Sequence, residues 1–287
     1  ADSPGRTPTL SGIQRAAIAM SKKTTLVAGG GGFIGGHLAA RLLEDGHRVR
    51  CVDVKPTDQW YQVFGDAENV VADLKERDAC QEACAGVGDV YNLAADMGGM
   101  GFIEKNKDLC RLAYLHNTHL LQAAVEQGVD RFFYASSACV YNADKQKSED
   151  VVPLKEEDAY PAMPEDGYGW EKLFSERMCR HFREDFGLYT RVARFHNVYG
   201  PHGTWDGGRE KAPAAICRKV IQAKETGADE IAIWGDGKQT RSFMYIDDCV
   251  EGILKITNSD ILEPINLGSD ELVTIDGLTE LVEEIAG

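Results

Sequence analysis

The stretch that decides the fold is TTLVAGGGGFIGGHLAARLLEDGHRVRCVDV, residues 24–54. A short apolar run leads into a glycine-rich turn, a helical stretch follows to Asp45, and a second apolar run begins at Arg48. This order predicts a strand, a helix and a second strand. Apolar runs and helical stretches keep alternating as far as Phe195. We therefore expect an α/β fold, a Rossmann-like doubly wound parallel sheet covered on both faces.

The alternation stops after Phe195, where glycine and proline become frequent. This break predicts a smaller C-terminal substrate-binding lobe. We expect residues 22–194 plus about 240–262 to form the Rossmann domain, and about 195–239 plus 263–287 to form the lobe. Within the lobe, strands are expected at 231–234 and 264–267. Residues 1–21 are polar and contain proline, which predicts a disordered leader, with a transit peptide as the alternative.

Composition excludes several classes of partner. The chain carries 31 basic and 46 acidic side chains, a formal net charge of -15, which would repel nucleic acid and anionic lipid. No apolar run approaches the roughly 20 residues needed to cross a bilayer. The eight cysteines lack the two spaced pairs of a metal cage, so we expect no metal, reduced thiols and a soluble cytoplasmic protein. Cys80 and Cys84 are expected to be helix neighbours; the alternative is half of a zinc site.

The glycine-rich turn has the spacing of a dinucleotide site. Gly29, Gly32 and Gly35 stand three residues apart between a strand and a helix that opens with Phe33 and Ile34. Glycine permits the tight turn and the close approach of the backbone to a pyrophosphate, which the free N–H groups of the helix N-terminus bind. The alternative is a glycine turn in a flavodoxin-like fold that binds no dinucleotide.

Three further residues are expected to line the cofactor site; together with the glycine turn they form what we call the cofactor wall. Asp53 ends the second strand 18 residues after Gly35, where a carboxylate can accept hydrogen bonds from a ribose diol. Its charge would repel a 2′-phosphate, so NAD is favoured over NADP, although Lys55 lies close by. Asp73 follows the third strand and could accept from the adenine amino group, and Leu93 lies near the end of the fourth.

Tyr168 and Lys172 lie four residues apart on an expected helix, so both side chains project from one face. An ammonium beside a phenol stabilises the phenolate, which helps the tyrosine to take a proton from a sugar hydroxyl. Ser136 and Ser137 follow an apolar strand about 30 residues upstream, and Ser137 could hold the same hydroxyl. The alternative for the Tyr and Lys pair is a solvated helix face.

This set of Ser, Tyr and Lys, with the glycine turn, resembles the short-chain dehydrogenase/reductase family, and the second lobe resembles its extended branch. Longer stretches resemble the GDP-mannose 3,5-epimerases within that branch. They are NLAADMGGMGFI (92–103), FFYASSACVY (132–141), RFHNVYGPHGTW (194–205), GGREKAPAAICRK (207–219) and WGDGKQTRSF (234–243). The resemblance extends from about Thr24 to the end of the sequence.

The resemblance implies a reaction in stages on GDP-D-mannose, giving GDP-L-galactose and GDP-L-gulose. NAD oxidises carbon 4 of the hexose, and the transient ketone acidifies the hydrogens at carbons 3 and 5. Each inversion then needs one group that removes a proton and another that returns it, roles which the family pattern places on Cys139 and Lys211. The catalytic set it implies is Ser137, Cys139, Tyr168, Lys172 and Lys211. Without the resemblance, Cys139 would be a buried strand end and Lys211 a surface charge.

The resemblance also implies a substrate site and an assembly. The implied substrate-binding residues are Gly98, Gly99, Met100, Ser137, Asn197, Glu210, Lys211, Lys219, Gln239 and Arg241. Arg218 could add to the grip on the diphosphate. Relatives dimerise through the helices expected near 106–127 and 166–186, which implies a homodimer, and they continue beyond residue 287, which implies an incomplete lobe. The alternatives are a nucleotide-sugar 4-epimerase or 4,6-dehydratase, and an inactive nucleotide-binding module.

Overall fold

The computed structural model describes residues 23–95, 107–146, 153–165 and 167–287. The expected leader at 1–21 and the substrate-binding candidates Gly98, Gly99 and Met100 lie outside these residues. The strands are β1 (Thr24–Ala28), β2 (Arg48–Asp53), β3 (Glu68–Val71), β4 (Val87–Asn92), β5 (Arg131–Ser137), β6 (Tyr189–Phe195), β7 (Asn197–Tyr199), β8 (Thr240–Arg241), β9 (Phe243–Tyr245), β10 (Ile265–Leu267) and β11 (Val273–Thr274). The α-helices are α1 (Phe33–Glu44), α2 (Arg77–Cys84), α3 (Lys107–Glu126), α4 (Tyr168–Phe186), α5 (Ala212–Thr226), α6 (Ile246–Thr257) and α7 (Ile275–Ala286).

Seven strands form one sheet in the order β10-β6-β5-β4-β1-β2-β3, and every pair in it is parallel. The central strands β1 and β5 are buried along almost their whole length, as expected for strands covered on both faces. The order reverses between β1 and β4, which is the position where ligands bind in open α/β sheets. The predicted α/β class and doubly wound parallel sheet are confirmed.

A layer of helices covers each face of the sheet. On one face, α2, α3 and α4 enclose a core that includes Leu26, Leu120 and Phe132. On the other face, α1 and α6 enclose a second core around Leu38 and Ile253. Cys80 and Cys84 are buried in the first core, and the Cys80 thiol donates to the Leu74 carbonyl oxygen at 3.0 Å. They are helix neighbours, and within the described residues no three His, Cys, Asp or Glu side chains cluster as metal ligands.

The lobe is small and is built mainly from α5 and α7. Ile216, Val220, Ile275 and Leu278 form its buried core, and α5 ends at Gly227, which adopts a left-handed conformation (φ 68°). The short pair β8 and β11 is antiparallel and closes one side of it. Within the described residues, no helix combines the length and the apolar character that crossing a membrane requires.

Two expected strands of the lobe differ from the structure. The segment 231–234 is irregular; Ile231 and Ile233 pack against the lobe core without a strand partner in the part of the chain described. Ile265–Leu267 is a strand, but it pairs with β6 at the edge of the large sheet. It therefore extends the Rossmann sheet and does not belong to the lobe. The domain boundaries as a whole stay a prediction.

Candidate active site

A large cavity opens where the carboxyl ends of the sheet strands face the lobe. Its volume is about 1720 Å³, and its wall is continuous from the glycine turn through the ends of β2, β4 and β5 to α5 and β8. The switch point between β1 and β4 lies beneath it. The fold therefore directs the expected cofactor and substrate residues to one space.

The glycine turn forms one end of the cavity. Gly29 has φ 83°, and a Cβ on Gly35 would lie 2.1 Å from the Gly29 carbonyl oxygen, so neither position has room for a side chain. No side chain caps α1 at Gly32, which leaves the N–H groups of its first turn free for an anion. Gly29, Gly32, Phe33, Ile34 and Gly35 all line the cavity.

The acidic residues of the expected cofactor wall also line the cavity, as does Leu93. Asp53 is buried at the end of β2, and its Oδ1 accepts from the backbone N–H of Lys55 at 3.1 Å. The Lys55 ammonium donates to the Gly31 carbonyl oxygen at 2.9 Å and lies 5.0 Å from the centre of the Tyr61 ring. It is therefore held against the protein, and Asp53 is the charge that a ribose at this position would meet. Asp73 Oδ1 accepts from the backbone N–H of Lys75 at 3.0 Å.

Tyr168 and Lys172 stand on the first turn and a half of α4, and both are buried in the cavity wall. The Lys172 ammonium donates to the Ala135 carbonyl oxygen at 2.9 Å and lies 5.5 Å from the centre of the Tyr168 ring. Burial lowers the pKa of Lys172, whereas the neighbouring Glu171 raises it. The end of β5 thus fixes the cation beside the phenol, where it can stabilise a phenolate.

The end of β5 brings Ser137 and Cys139 to the same wall. Ser137 Oγ accepts from the backbone N–H of Cys139 at 3.2 Å, within a short 3₁₀ helix at Ala138–Val140. Burial raises the pKa of the Cys139 thiol to about 12, with a further contribution from the charge of Glu165. In the apo site this thiol is therefore protonated at neutral pH.

Lys211 precedes α5 and reaches the cavity from the lobe side. Burial lowers the pKa of its ammonium, whereas the neighbouring Cys139 and Glu165 raise it. The ammonium in turn lowers the pKa of the Cys139 thiol. The structure thus brings together the thiol and the amine to which the family resemblance gives the acid/base roles, and those roles stay a prediction.

The remaining lobe residues divide into two groups. Asn197 and Arg241 line the cavity, as does Arg218, whose guanidinium is held by Glu210 at 3.2 Å. Glu210, Lys219 and Gln239 are absent from the cavity lining. The Lys219 ammonium donates to the Ala232 carbonyl oxygen, and the Gln239 amide donates to the Trp234 carbonyl oxygen at 2.7 Å. The substrate-binding role of these residues stays a prediction.

Comparison with known proteins decides the family. The model of the NAD dependent epimerase/dehydratase family matches residues 25–268. The chain belongs to this family. It is 50% identical over 260 residues to GDP-mannose 3,5-epimerase 1 of Oryza sativa subsp. japonica, which covers 89% of this chain and 67% of that protein. It is 49% identical, with the same coverage, to GDP-mannose 3,5-epimerase of Arabidopsis thaliana. The predicted resemblance is confirmed.

Solved structures of two UDP-glucose 4-epimerases have the same fold. The UDP-glucose 4-epimerase of Thermotoga maritima superposes with a TM-score of 0.80 at 24% identity, covering 92% of this chain and 82% of that one. The UDP-glucose 4-epimerase of Thermus thermophilus, solved with NAD, gives a TM-score of 0.76 at 24% identity, covering 92% and 83%. An epimerase is an isomerase, so the predicted enzyme class is also confirmed by the curated relatives.

Two cavity residues of this epimerase/dehydratase chain were missed by sequence reasoning. His116 is buried on α3, bonds the Ala94 carbonyl oxygen at 2.9 Å, and has its pKa lowered to about 3, mainly by burial. Glu165 lies in the loop before α4. No spacing distinguishes either residue from an ordinary helix or loop position. Two further histidines follow β6: His196 lines the cavity, and His202 is absent from its lining.

Proposed function

We propose that this chain is an NAD-dependent isomerase that inverts GDP-D-mannose at carbons 3 and 5, giving GDP-L-galactose and GDP-L-gulose through a transient 4-keto sugar. One observation carries the proposal: Cys139 and Lys211 meet in the same cavity as Ser137, Tyr168 and Lys172. Hydride transfer at carbon 4 needs only the last three residues. A buried thiol and amine together are what proton exchange at carbon requires in addition.

The cofactor end of the cavity fits NAD. The glycine turn has no room for a Cβ at Gly35, the N–H groups of α1 face the cavity, and Asp53 stands where a ribose diol would lie. Asp53 disfavours the 2′-phosphate of NADP, and Lys55 is engaged with Gly31. When bound, NAD supplies a hydride acceptor for carbon 4 of the hexose and later returns the hydride.

The proton chemistry at carbon 4 belongs to the chain's own residues. Tyr168 removes the proton of the 4-hydroxyl, and the Lys172 ammonium stabilises the phenolate during that transfer. Ser137 donates a hydrogen bond to the same oxygen and keeps it in line with the tyrosine. Because the Ala135 carbonyl oxygen holds Lys172, this arrangement exists before the substrate arrives.

The inversions at carbons 3 and 5 use Cys139 and Lys211. With a ketone at carbon 4, the hydrogens at carbons 3 and 5 become acidic, and an enolate forms on the sugar. One member of the pair Cys139 and Lys211 removes the proton, and the other returns one to the opposite face of the carbon. Burial brings the pKa of the ammonium downwards, and the ammonium lowers the pKa of the thiol, so the proton of each group becomes easier to remove, in the first case through burial and in the second through the neighbouring charge.

The test is solvent labelling. The protein is incubated with NAD and GDP-mannose in heavy water, and deuterium is located by NMR and mass spectrometry. We expect label at carbons 5 and 3 together with L-sugar products. Loss of water would identify a 4,6-dehydratase, inversion at carbon 4 without solvent label a 4-epimerase, and unchanged substrate a nucleotide-binding module.

Two variants assign the proton-exchange residues. Cys139→Ala and Lys211→Met should each reduce deuterium incorporation by about 10² or more, because general acid–base groups contribute on that order. Reduction of bound NAD on adding substrate should persist in both. Lys255→Met is the matched control, since that lysine is exposed on α6. Unaltered exchange in Cys139→Ala would remove the thiol from the mechanism.

The partner and location predictions belong to the same proposal. Tyr114 on α3 and Trp170 and Phe174 on α4 are 44%, 47% and 56% exposed, which leaves an apolar strip on neighbouring helices. Burying such a strip against a second copy favours the homodimer. Sedimentation of Phe174→Ser should show a lighter species than the parent chain. The free thiols of the described cysteines support a reducing, cytoplasmic location.

A further inference from the structure

A carboxylate that belongs to no motif lies against the acid/base pair. The backbone N–H of Glu165 donates to the Cys139 carbonyl oxygen at 3.1 Å. The first turn of α4 is packed equally tightly against the same atom, since a Cβ on Gly169 would lie 2.3 Å from the Cys139 carbonyl oxygen. The loop before α4 is therefore fastened to the end of β5 by its backbone. This contact fixes where the Glu165 side chain stands relative to the thiol.

The side chain of Glu165 completes the contact. It lines the cavity together with Cys139, and its carboxylate raises the pKa of the Cys139 thiol. Its other oxygen, Oε2, is buried and has no hydrogen-bond partner in the described part of the chain. A buried carboxylate oxygen without a donor is costly, unless a neighbouring cation compensates its charge. Lys211 is the cation whose charge interacts with both Glu165 and Cys139.

We propose that Glu165 is a positioning residue for the proton-exchange pair: its carboxylate accepts a hydrogen bond from the Cys139 thiol and holds the Lys211 ammonium beside it. The proposal deepens the proposed function, on which its catalytic consequence rests. Three segments that are distant in sequence then act as one unit, namely the end of β5, the loop before α4 and the N-terminus of α5.

The charges around the Cys139 thiol determine in which direction Glu165 shifts the pKa values of Cys139 and Lys211. Four groups face the thiol: Glu165 from the loop, Ser137 from β5, Lys172 from α4 and Lys211 from the lobe. Of these, Glu165 raises the pKa of the thiol, and Ser137 and Lys211 lower it. Glu165 also raises the pKa of Lys211. Both acid/base groups are therefore kept protonated to higher pH by one carboxylate.

Removing that charge should move both groups in the same direction. In Glu165→Gln the pKa values of Cys139 and Lys211 both fall, so the thiolate and the neutral amine are present at lower pH. The pH profile of deuterium incorporation should shift as a whole towards acid, by about one pH unit, the lower end of what a nearby charge does. Glu165→Asp retains the charge and should retain the pH profile with a lower rate. Glu157→Gln is the matched control, because Glu157 is exposed in the same region.

A second readout needs no turnover. Alkylation of Cys139 by iodoacetamide is followed against pH in the NAD-loaded protein by peptide mass spectrometry, with the exposed Cys217 as internal reference. The midpoint for Cys139 should fall by about one pH unit in Glu165→Gln and stay fixed for Cys217. An unmoved Cys139 midpoint overturns the proposal. A moved midpoint without any deuterium incorporation from GDP-mannose supports the positioning role and contradicts the proposed function instead.

Discussion

The two walls of the cavity hold their predicted residues in different ways. On the sheet side the glycine turn, Asp53, Tyr168 and Lys172 all line the cavity, because strands and a helix of one parallel sheet place them there. On the lobe side Lys219 and Gln239 donate to the lobe's own backbone. The lobe's strands are only two or three residues long, and its predicted residues are spread over these strands, α5 and the loops between them. The residues proposed for hydride transfer are thus preformed, while the proposed grip on the substrate depends on the lobe.

The largest effect should come from the preformed side. Tyr168→Phe removes the phenol proposed to take the proton of the 4-hydroxyl, and kcat should fall by about 10³, the middle of the range for general acid–base groups. Substrate affinity should change little, since the ring still packs in the wall. Steady-state kinetics with NAD-loaded protein measure both. Tyr160→Phe is the control, because Tyr160 is 46% exposed and lies outside the cavity lining.

The glycine turn offers a second comparison on the sheet side of the cavity. Gly35→Ala introduces a Cβ 2.1 Å from the Gly29 carbonyl oxygen and should displace α1 from the turn. We expect a loss of about 1–3 kcal/mol of stability, as for other overpacked positions, together with loss of co-purified NAD. Gly65→Ala is the matched control, because a Cβ there meets nothing within 4 Å. Equal NAD content and melting temperature in the two variants would contradict the assignment of the turn.

The same contrast explains how much could be predicted from sequence. The glycine turn, the Ser, Tyr and Lys set and the alternating elements are local patterns, and parallel pairing carries them to one edge of the sheet. For this reason the sheet and its site residues followed from the chain alone. The expectation that 264–267 adds to the lobe is wrong because so short a segment does not indicate its strand partner, and only the register of Ile265–Leu267 with β6 decides it.

Sequence analysis missed Glu165 and His116 for a related physical reason. Glu165 acts through a loop whose path depends on a backbone contact with Cys139, more than 20 residues earlier in the chain. His116 is one of many polar residues on α3, and only tertiary packing buries it against Ala94. Ile231–Trp234 has the apolar pattern of a strand, yet the lobe uses its isoleucines for core packing alone. Such placements depend on contacts between distant segments.

Cofactor choice should respond more weakly than turnover. Asp53→Asn removes the charge that would face a 2′-phosphate, an interaction of about 1–4 kcal/mol at 4 Å for effective dielectric constants between 80 and 20. The ratio of the Kd values for NADP and NAD should therefore fall by about tenfold, as measured by calorimetry. Asp58→Asn is the control, since Asp58 is exposed and does not line the cavity. An unchanged ratio would mean that another group discriminates the phosphate.

The smallest effect is expected on the lobe side. The Lys219 ammonium is held by the Ala232 carbonyl oxygen and does not line the cavity, so we expect it to add only uniform binding energy. Lys219→Met should raise KM for GDP-mannose by about three- to tenfold and leave kcat unchanged, which is the kinetic pattern of lost uniform binding. Lys238→Met, at an exposed lysine of the same lobe, should leave both constants unchanged. A fall in kcat for Lys219→Met would show instead that the lobe helps to place the reacting carbons, and the contrast between a preformed sheet wall and an adaptable lobe wall would then be wrong.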